Sequence, residues 1–405
     1  MTPDENQLLT RVEGDAPMGA MLRENYWIPA VRSQKLEADG APARIRLFGR
    51  NYVAFRATDG RVGFLNEACP HRRVSLALAR NEDCALRCIF HGWKISVTGE
   101  LLEAPNQHSN PEAFIKKPVI HHYPVVEAGR LVWVWLGSGK PAPFPAFEFT
   151  GLPPEQVVVL ATTQNFNWLQ GVEAAIDSSH VGMLHQSWLS GLGDTAMTGA
   201  DNAPSFEFEP TSYGYRAAAL RSLGDGRRYS RVSEYVFPWC GLIPPNRDDG
   251  NRLAVFSVPV DDVTSTNYYI RFNLRRAVDP NIYMPFADFN EFSPLPGGPE
   301  NAWGQNRTAM KLGNFTGFHS LFHEDFAVQA SMGAITDRSE EFLSDGDLAV
   351  VRARRLLLQA VRDWQAGKPP MGAGAADIDY RHIRSRAEVI AAGEDWRATA
   401  AVPAE

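Results

Sequence analysis

Two histidines and two carboxylates crowd the stretch Asn167–Trp188, NWLQGVEAAIDSSHVGMLHQSW, where Glu173, Asp177, His180 and His185 stand in the pattern E-x3-D-x2-H-x4-H. Two imidazoles this close to a carboxylate are two-thirds of a 2-His-1-carboxylate iron site, a type that leaves open positions for dioxygen chemistry. On a helix Asp177 and His180 share a face. His185, five residues further on, points elsewhere unless the helix ends, and Ser178, Ser179 and Gly182 are poor helix formers that let it end. The third ligand has to be a distant carboxylate. Asp325, in His323-Glu-Asp-Phe-Ala-Val-Gln, is the first choice and Glu324 its rival. Asp177, three residues before a ligand, reads as the hydrogen-bond partner that fixes the imidazole. His319 and His323, four apart, form a further pair with metal-binding spacing on a helix.

Upstream, Cys69-Pro-His71 and Cys88-Ile-Phe-His91-Gly-Trp93 give C-x-H, sixteen intervening residues, then C-x2-H. Each loop offers one thiolate and one imidazole. A Rieske [2Fe–2S] centre needs that split, two Cys on one iron and two His on the other, and the neutral imidazoles raise its potential. Zinc is the competing use of a Cys2His2 set, but zinc fingers pair Cys with Cys and His with His. Of the other cysteines, Cys84 reads as a structural thiol and Cys240, beside Trp239, as buried core.

The elements that must position these groups follow from the pattern of the chain. Residues 1–25 read as a helical segment broken at Gly14-Asp-Ala-Pro17. Residues 26–140 read as a small, mostly antiparallel β domain, with short runs at Arg44–Phe48, Tyr52–Arg56, Val62–Leu65, Trp93–Val97 and Leu131–Leu136. This domain carries the two Cys/His loops. Closely spaced prolines from Pro141 to Pro145 make a linker. Residues 141–405 form the domain of the mononuclear iron. Its expected strands are Gln156–Thr163, Ser205–Glu209, Tyr213–Leu220, Arg231–Phe237, Arg252–Val258 and Asn267–Leu274. Its expected helices are Asn165–Ile176, Phe326–Met332 and Leu348–Ala366, and the Ala- and Gly-rich tail from Gly372 reads as loosely held. The class is therefore α+β.

Composition bounds the rest. The chain is 44% hydrophobic and 21% charged, ordinary for a soluble globular protein, and its 405 residues allow two domains. A net charge of -7 gives no reason to expect nucleic-acid binding. No apolar run approaches the length of a membrane span. The start, MTPDENQLLTR, lacks a basic segment followed by an apolar one, so no signal peptide is expected and the cytoplasm is the expected compartment. Four cysteines in such a chain argue for ligands rather than a disulfide framework.

With both metal motifs in this order, the chain resembles the oxygenase (α) subunits of the Rieske non-haem iron aromatic-ring-hydroxylating oxygenases, and among them the phthalate 4,5-dioxygenase type. The resemblance covers nearly the whole chain: Leu8-Leu-Thr-Arg-Val12, Pro17-Met-Gly19, both cluster loops, Asn167 through His185, Glu324-Asp325, Gly333, Asp337-Arg338-Ser-Glu340 and Asp347. It implies one [2Fe–2S] cluster per chain, with Cys69 and Cys88 on one iron and His71 and His91 on the other. It implies one mononuclear Fe(II) held by His180, His185 and Asp325. Asp177 would then bridge His180 to a cluster histidine of a neighbouring subunit, because the two centres of one chain lie too far apart. The subunits would form a ring, a trimer or a multiple of trimers. The catalytic domain would have a helix-grip fold, an antiparallel sheet around a long helix. Val74 and Phe90 stand where a bracing disulfide would need cysteines, which implies the unbraced, lower-potential kind of cluster.

The implied reaction is hydroxylation of a small aromatic substrate, carboxylated by resemblance, with dioxygen and electrons from NAD(P)H. The chain has no convincing G-x-G-x-x-G after a strand and no plant-type ferredoxin cysteine set. A separate reductase, with flavin and a ferredoxin-type cluster, must therefore deliver the electrons. Ring dihydroxylation and monooxygenation are both open, as is O- or N-demethylation with release of formaldehyde. A bare Rieske electron carrier is the remote alternative, against which the second iron motif argues. A carboxylate calls for arginine, and Arg216, Arg221, Arg231 and Arg271 lie on or beside the central strands.

Overall fold

Capping fixes where the first helices begin. Helix α1 (Pro3–Thr10) starts behind Thr2, whose hydroxyl accepts from the Glu5 amide while Glu5 returns to the Thr2 amide, a capping box. Helix α2 (Pro17–Asn25) opens on a proline, which needs no amide partner there. The computed structural model describes residues 1–116, 120–189, 195–199, 201–245, 250–280, 297–374 and 377–398. It divides into two units, Val12–Pro145 and a second made of Met1–Arg11 with Ala146–Glu405. The two opening helices thus belong to different units.

The first unit is built of short strands: β1 (Trp27–Arg32), β2 (Ala43–Leu47), β3 (Arg50–Arg56), β4 (Val62–Asn66), β5 (Arg80–Glu82), β6 (Ala85–Arg87), β7 (Lys94–Ser96), β8 (Leu101–Glu103), β9 (Val125–Ala128) and β10 (Leu131–Trp135). They pair into three antiparallel sheets in the orders β1-β10-β9, β2-β3-β4 and β5-β6-β7-β8, with a one-turn helix α3 (Pro111–Ile115) beyond. Val53, Phe55, Leu65, Leu76, Leu86 and Ile95 form a core that includes Cys69 and Cys88. The thiols therefore face apolar surroundings while the loops that carry them reach the surface.

The second unit begins with β11 (Val157–Gln164), followed by helix α4 (Trp168–Ile176) and the short helices α5 (His180–Leu184), α6 (Gln186–Leu189) and α7 (Thr195–Gly199). Then come β12 (Ser205–Thr211), β13 (Gly214–Ser222), β14 (Arg228–Val236), β15 (Cys240–Ile243), β16 (Arg252–Pro259) and β17 (Ser265–Phe272). The last elements are α8 (Arg307–Lys311), α9 (Leu321–Ser331), α10 (Leu348–Gln365) and β18 (Arg386–Ile390). The strands form one eight-stranded antiparallel sheet in the order β11-β17-β16-β15-β14-β13-β12, with β18 added beside β14. Helix α4 lies on this sheet with Trp168, Leu169, Val172 and Ile176 buried. An antiparallel sheet gripping a helix is the α+β architecture expected of the catalytic domain. Three expectations are corrected. The four-residue strand β15 was not anticipated. Helix α9 starts at Leu321, five residues before the expected Phe326, which places Asp325 well inside it. Of the tail from Gly372, the described part up to residue 398 is held in place: β18 pairs along β14 from Arg228↔Ile390 to Val232↔Arg386, and Trp396 is buried. Alanine and glycine content hid a strand whose few apolar residues have a ready edge to join.

Helix and sheet approach closely at Gly171. A Cβ there would stand 2.3 Å from Ser257 Oγ and 2.6 Å from Asn267 Oδ1. Both side chains are buried on neighbouring strands, and Ser257 Oγ is already committed to the Trp168 carbonyl. Gly171→Ala is expected to lower stability by about 1–3 kcal/mol through overpacking, read as a lower denaturant midpoint with an unchanged slope.

Candidate metal centres

The two Cys/His loops have the same backbone design. The amide of Cys69 donates to Val74 O (2.8 Å) and that of Cys88 to Trp93 O (2.8 Å), each five residues on. The cysteine carbonyls accept from the amides four residues on, Arg73 and Gly92, both at 2.9 Å. Those two residues hold left-handed backbone, φ 66° at Arg73 and 75° at Gly92. Glycine adopts this region freely and arginine does not, so the Cys69 loop keeps the turn at some strain. The rings of His71 and His91 lie 4.5 Å apart, and His71 stacks on Trp93 at 4.6 Å. Trp93 is fixed in turn by a 2.8 Å hydrogen bond to Asn106 Oδ1.

These four residues suit a two-iron cluster. Cys69 and Cys88 are buried side by side, and burial, with Cys88 adding to it, pushes the Cys69 thiol up to about 11. A cation is what turns such a buried pair into thiolates. His91 Nδ1 is buried with no hydrogen-bond partner, as befits a nitrogen kept for a metal. A tetrahedral zinc site would draw its ligand atoms to within about 4 Å of one another. Among the described residues only His180, His185 and Asp325 bring three ligand atoms within 4.8 Å, so the loops do not converge on one ion. Cys84 sits apart, in the turn between β5 and β6 with φ 58°, and Cys240 is buried on β15.

The second centre forms where α4 stops. Asn167 caps the helix start: its Oδ1 accepts from the Leu169 amide, while Nδ2 donates to the carbonyls of Thr10 and Asp262. The helix ends at Asp177, which is extended, and a turn of Ser178 and Ser179 leads into α5 at His180. His185 is the residue at which α5 ends. Two short helices, not one regular one, therefore let both imidazoles meet Asp325 on α9. His185 Nε2 is 3.2 Å and His180 Nε2 3.7 Å from Asp325 Oδ1. The arrangement calls for a cation: burial pulls His185 down, but Asp325 and Glu324 outweigh it and hold it up at about 9.

Each imidazole leaves Nδ1 for a second carboxylate. His180 Nδ1 lies 3.2 Å from Asp177 Oδ2, and His185 Nδ1 lies 2.7 Å from Glu324 Oε2. Asp177 Oδ1 accepts from both the amide and the hydroxyl of Ser179, each at 2.7 Å. Glu324, the rival for ligand, is turned away from the meeting point of the three ligand atoms. One sequence signal points to this: neighbours on a helix project about 100° apart, so of Glu324 and Asp325 only one can face a given point. Glu173, the first residue of the motif, is not near a metal. It lies between Arg338, at 2.9 and 2.8 Å, and Arg354, at 2.7 Å. His319 precedes α9 rather than sharing it with His323; their rings pack at 3.9 Å, and no third ligand joins them among the described residues.

A cavity opens beside His180, His185 and Asp325, between α4, α9 and the sheet. Its walls are mainly apolar, with Leu253, Val255, Tyr269 and Phe322, and Arg231 and Arg271 also line it. Arg231 already donates to the carbonyls of Pro244 and Pro245, at 3.4 and 3.5 Å, and the other two arginines are engaged elsewhere. Arg216 meets Glu209 and Glu234. Arg221 is buried and donates to the Ser178 carbonyl (2.8 Å), tying the turn before His180 to the sheet. A second cavity reaches Asp177, His180 and Asp325 from another side, with Glu173, Glu341, Leu343 and Arg354 in its walls.

Comparison with known proteins agrees with this geometry. The family model of the Rieske [2Fe-2S] domain matches residues 26–124, and that described as LigXa C-terminal domain like matches 134–405. The phthalate 4,5-dioxygenase oxygenase subunit of Pseudomonas putida is 38% identical, over 98% of this chain and 94% of that protein. The 3-chlorobenzoate-3,4-dioxygenase oxygenase subunit of Comamonas testosteroni is 35% identical, over 97% and 96%. The terminal oxygenase of carbazole 1,9a-dioxygenase from Nocardioides aromaticivorans IC177 has the same fold, with a TM-score of 0.60, 20% identity and coverage of 85% of this chain and 97% of that one. The two Cys/His loops, the His180–His185–Asp325 group that could hold a metal ion and these likenesses together place the chain in the family of Rieske non-haem iron oxygenases, as an oxygenase subunit with one [2Fe–2S] cluster and one mononuclear iron.

Proposed function

We propose that the chain hydroxylates a small aromatic carboxylate, with iron on His180, His185 and Asp325 and the cluster on Cys69, Cys88, His71 and His91. The observation that carries this is the meeting of the three ligands beside an apolar cavity that two arginines line. The relatives named for phthalate and chlorobenzoate support the substrate class. When bound, the cluster supplies electrons singly and the iron, with positions left open, supplies dioxygen chemistry. The chain's own residues supply the rest. Apolar walls hold the ring and exclude water; Arg231 and Arg271 are placed to hold the carboxylate; Asp177 holds His180 in register and is the link to the cluster histidines of a second copy. Among the described residues no helix is long and apolar enough to cross a membrane; the proposed place of the enzyme and of its separate reductase is the cytoplasm.

The proposed assembly is a ring of copies, a trimer or a multiple of trimers, and two features of the surface support contact between copies. Ile89 and Phe90 are exposed on the cluster loop, with the Arg72 guanidinium over the Phe90 ring. Phe342 and Leu343 are exposed near the second cavity, among Glu340, Glu341, Asp345 and Asp347. Over whole units, Val12–Pro145 carries 17 Lys and Arg against 13 Asp and Glu, and the remainder 23 against 34. Opposite charge favours the cluster unit of one copy against the catalytic unit of the next.

The test combines metal analysis with product analysis. The purified chain should hold about three irons, two in the cluster and one mononuclear. With a phthalate-type reductase, NADH and dioxygen it should convert aromatic acids and release a diol or phenol. Formaldehyde from aryl ethers or N-methyl compounds would assign it to demethylation instead, and a fully loaded chain that consumes no oxygen with any of them would leave electron transfer alone. Arg231→Met should raise KM for a carboxylated substrate by about tenfold to a hundredfold, the worth of one hydrogen bond to a charged group. KM for an uncharged ring should change little.

A further inference from the structure

The two ligand histidines are held by carboxylates whose surroundings differ. Asp177, behind His180, lines both cavities and is partly exposed. Glu324, behind His185, lines neither cavity and is fully buried. Both its oxygens are taken: Oε2 accepts from His185 Nδ1 at 2.7 Å, and Oε1 accepts from Thr316 Oγ1 at 2.5 Å. Thr316 is itself buried and anchored, since its amide donates to Asn314 Oδ1 and its hydroxyl accepts from the Phe318 amide. Both oxygens thus face away from the point where His180, His185 and Asp325 meet, so Glu324 is not placed to hold the metal. What it does offer is orientation. A neutral imidazole carries one N–H, and a carboxylate on Nδ1 holds that hydrogen there, leaving the Nε2 lone pair free for a metal and fixing the ring's rotation.

We infer that Glu324, anchored by Thr316, is a positioning residue for His185 and that its task is separate from that of Asp177. Glu324 sets the iron-binding imidazole from the sealed side of the site and takes no part in electron entry. Asp177 sits on the open side, where electrons arrive. The inference rests on the reading of His185 as an iron ligand. It divides two superficially equal carboxylates by what lies beyond them: a threonine in the core in one case, an open cavity in the other.

The test uses the full chain with its cluster in place. Fe(II) retention is measured by competition with a chelator, and the resting site is probed by electron paramagnetic resonance of its nitric oxide adduct, neither of which needs turnover. Glu324→Gln keeps the shape but weakens the acceptor. It should lower Fe(II) affinity by about tenfold to a hundredfold and alter the nitrosyl spectrum, with the cluster's reduction potential unchanged. Thr316→Val should act in the same direction and less strongly, and serves as the reading if Glu324→Gln does not fold. In whichever of the two folds, once iron is restored by excess Fe(II), oxidation of a pre-reduced cluster should run near the wild-type rate. Wild-type iron affinity and spectrum in these variants overturn the inference, as does cluster oxidation that stays slow with iron fully restored. His185→Ala separates this from failure of the underlying reading: if that variant holds iron as tightly as the wild type, His185 is not a ligand at all.

Discussion

Asp177→Asn should leave a protein that carries its cluster and its iron and does not turn over. The side chain is nearly isosteric, so the Ser179 amide and hydroxyl can still reach an oxygen. The change falls on the other atom, where an NH2 group replaces the Oδ2 that faces His180 Nδ1 at 3.2 Å. An amide hydrogen cannot accept from an imidazole N–H, so the link between the ligand and whatever stands beyond the carboxylate is broken. We expect hydroxylation to fall by about a hundredfold or more, the upper range for losing such a partner, with iron content preserved. The decisive measurement is the absorbance of a pre-reduced cluster after mixing with dioxygen and substrate. Slow bleaching recovery with full metal supports the bridge; recovery at the wild-type rate removes it.

Glu173→Ala should act on stability instead. Glu173 is the one carboxylate that both Arg338, whose side chain is fully buried, and Arg354, nearly so, engage. Arg338 also donates to Asn6 and to the Thr336 carbonyl, so the same guanidinium ties α1 to the core of this unit. Removing the carboxylate leaves the Arg338 charge buried without it, while Arg354 keeps Glu341, a loss of about 3–5 kcal/mol. The effect should depend on pH. Burial alone would raise the Glu173 carboxyl, but Arg338 and Arg354 outweigh it and hold it below the ordinary 4.5. A group lowered on folding contributes fully above its unfolded pKa and loses that contribution as pH falls through the folded one. The difference in urea midpoint between wild type and variant should therefore be largest at neutral pH and shrink in acid below 4.5. A difference that persists unchanged into strong acid would mean that packing, not charge, holds α4 there.

How far the sequence could be read depended on how local the cause was. The cluster loops were legible because their chemistry lies within a few residues, and the stop at the end of α4 because Ser178 and Ser179 announce it; Gly182, expected to break the helix, lies inside α5 instead. Strands with alternating or long apolar runs, such as β13, β14 and β17, stood out; β15, only four residues long, did not. The tail strand β18 was hidden by composition, because what makes it a strand is the free edge of β14 more than a hundred residues away. The same holds for side chains with long-range partners. Nothing near Glu173 in the chain foretells Arg338 and Arg354, and Arg221 and Arg231, both on central strands, differ only in what the fold sets before them. Glu324 and Asp325 were adjacent letters until a helix turned them apart.

The pairing of β18 with β14, and the ties from α1 to Asn167 and Arg338, bear on the order in which the protein can be made. The cluster unit is one uninterrupted stretch, so it can fold while the ribosome is still adding residues behind it. The catalytic unit is made from both ends of the chain, and its sheet cannot be completed until Arg386–Ile390 has left the exit tunnel. Long-range pairing of this kind is slow. During synthesis the nascent chain therefore passes through a stage with a finished iron–sulfur module and an unfinished oxygenase, a stage in which the cluster site is complete and the mononuclear site is not.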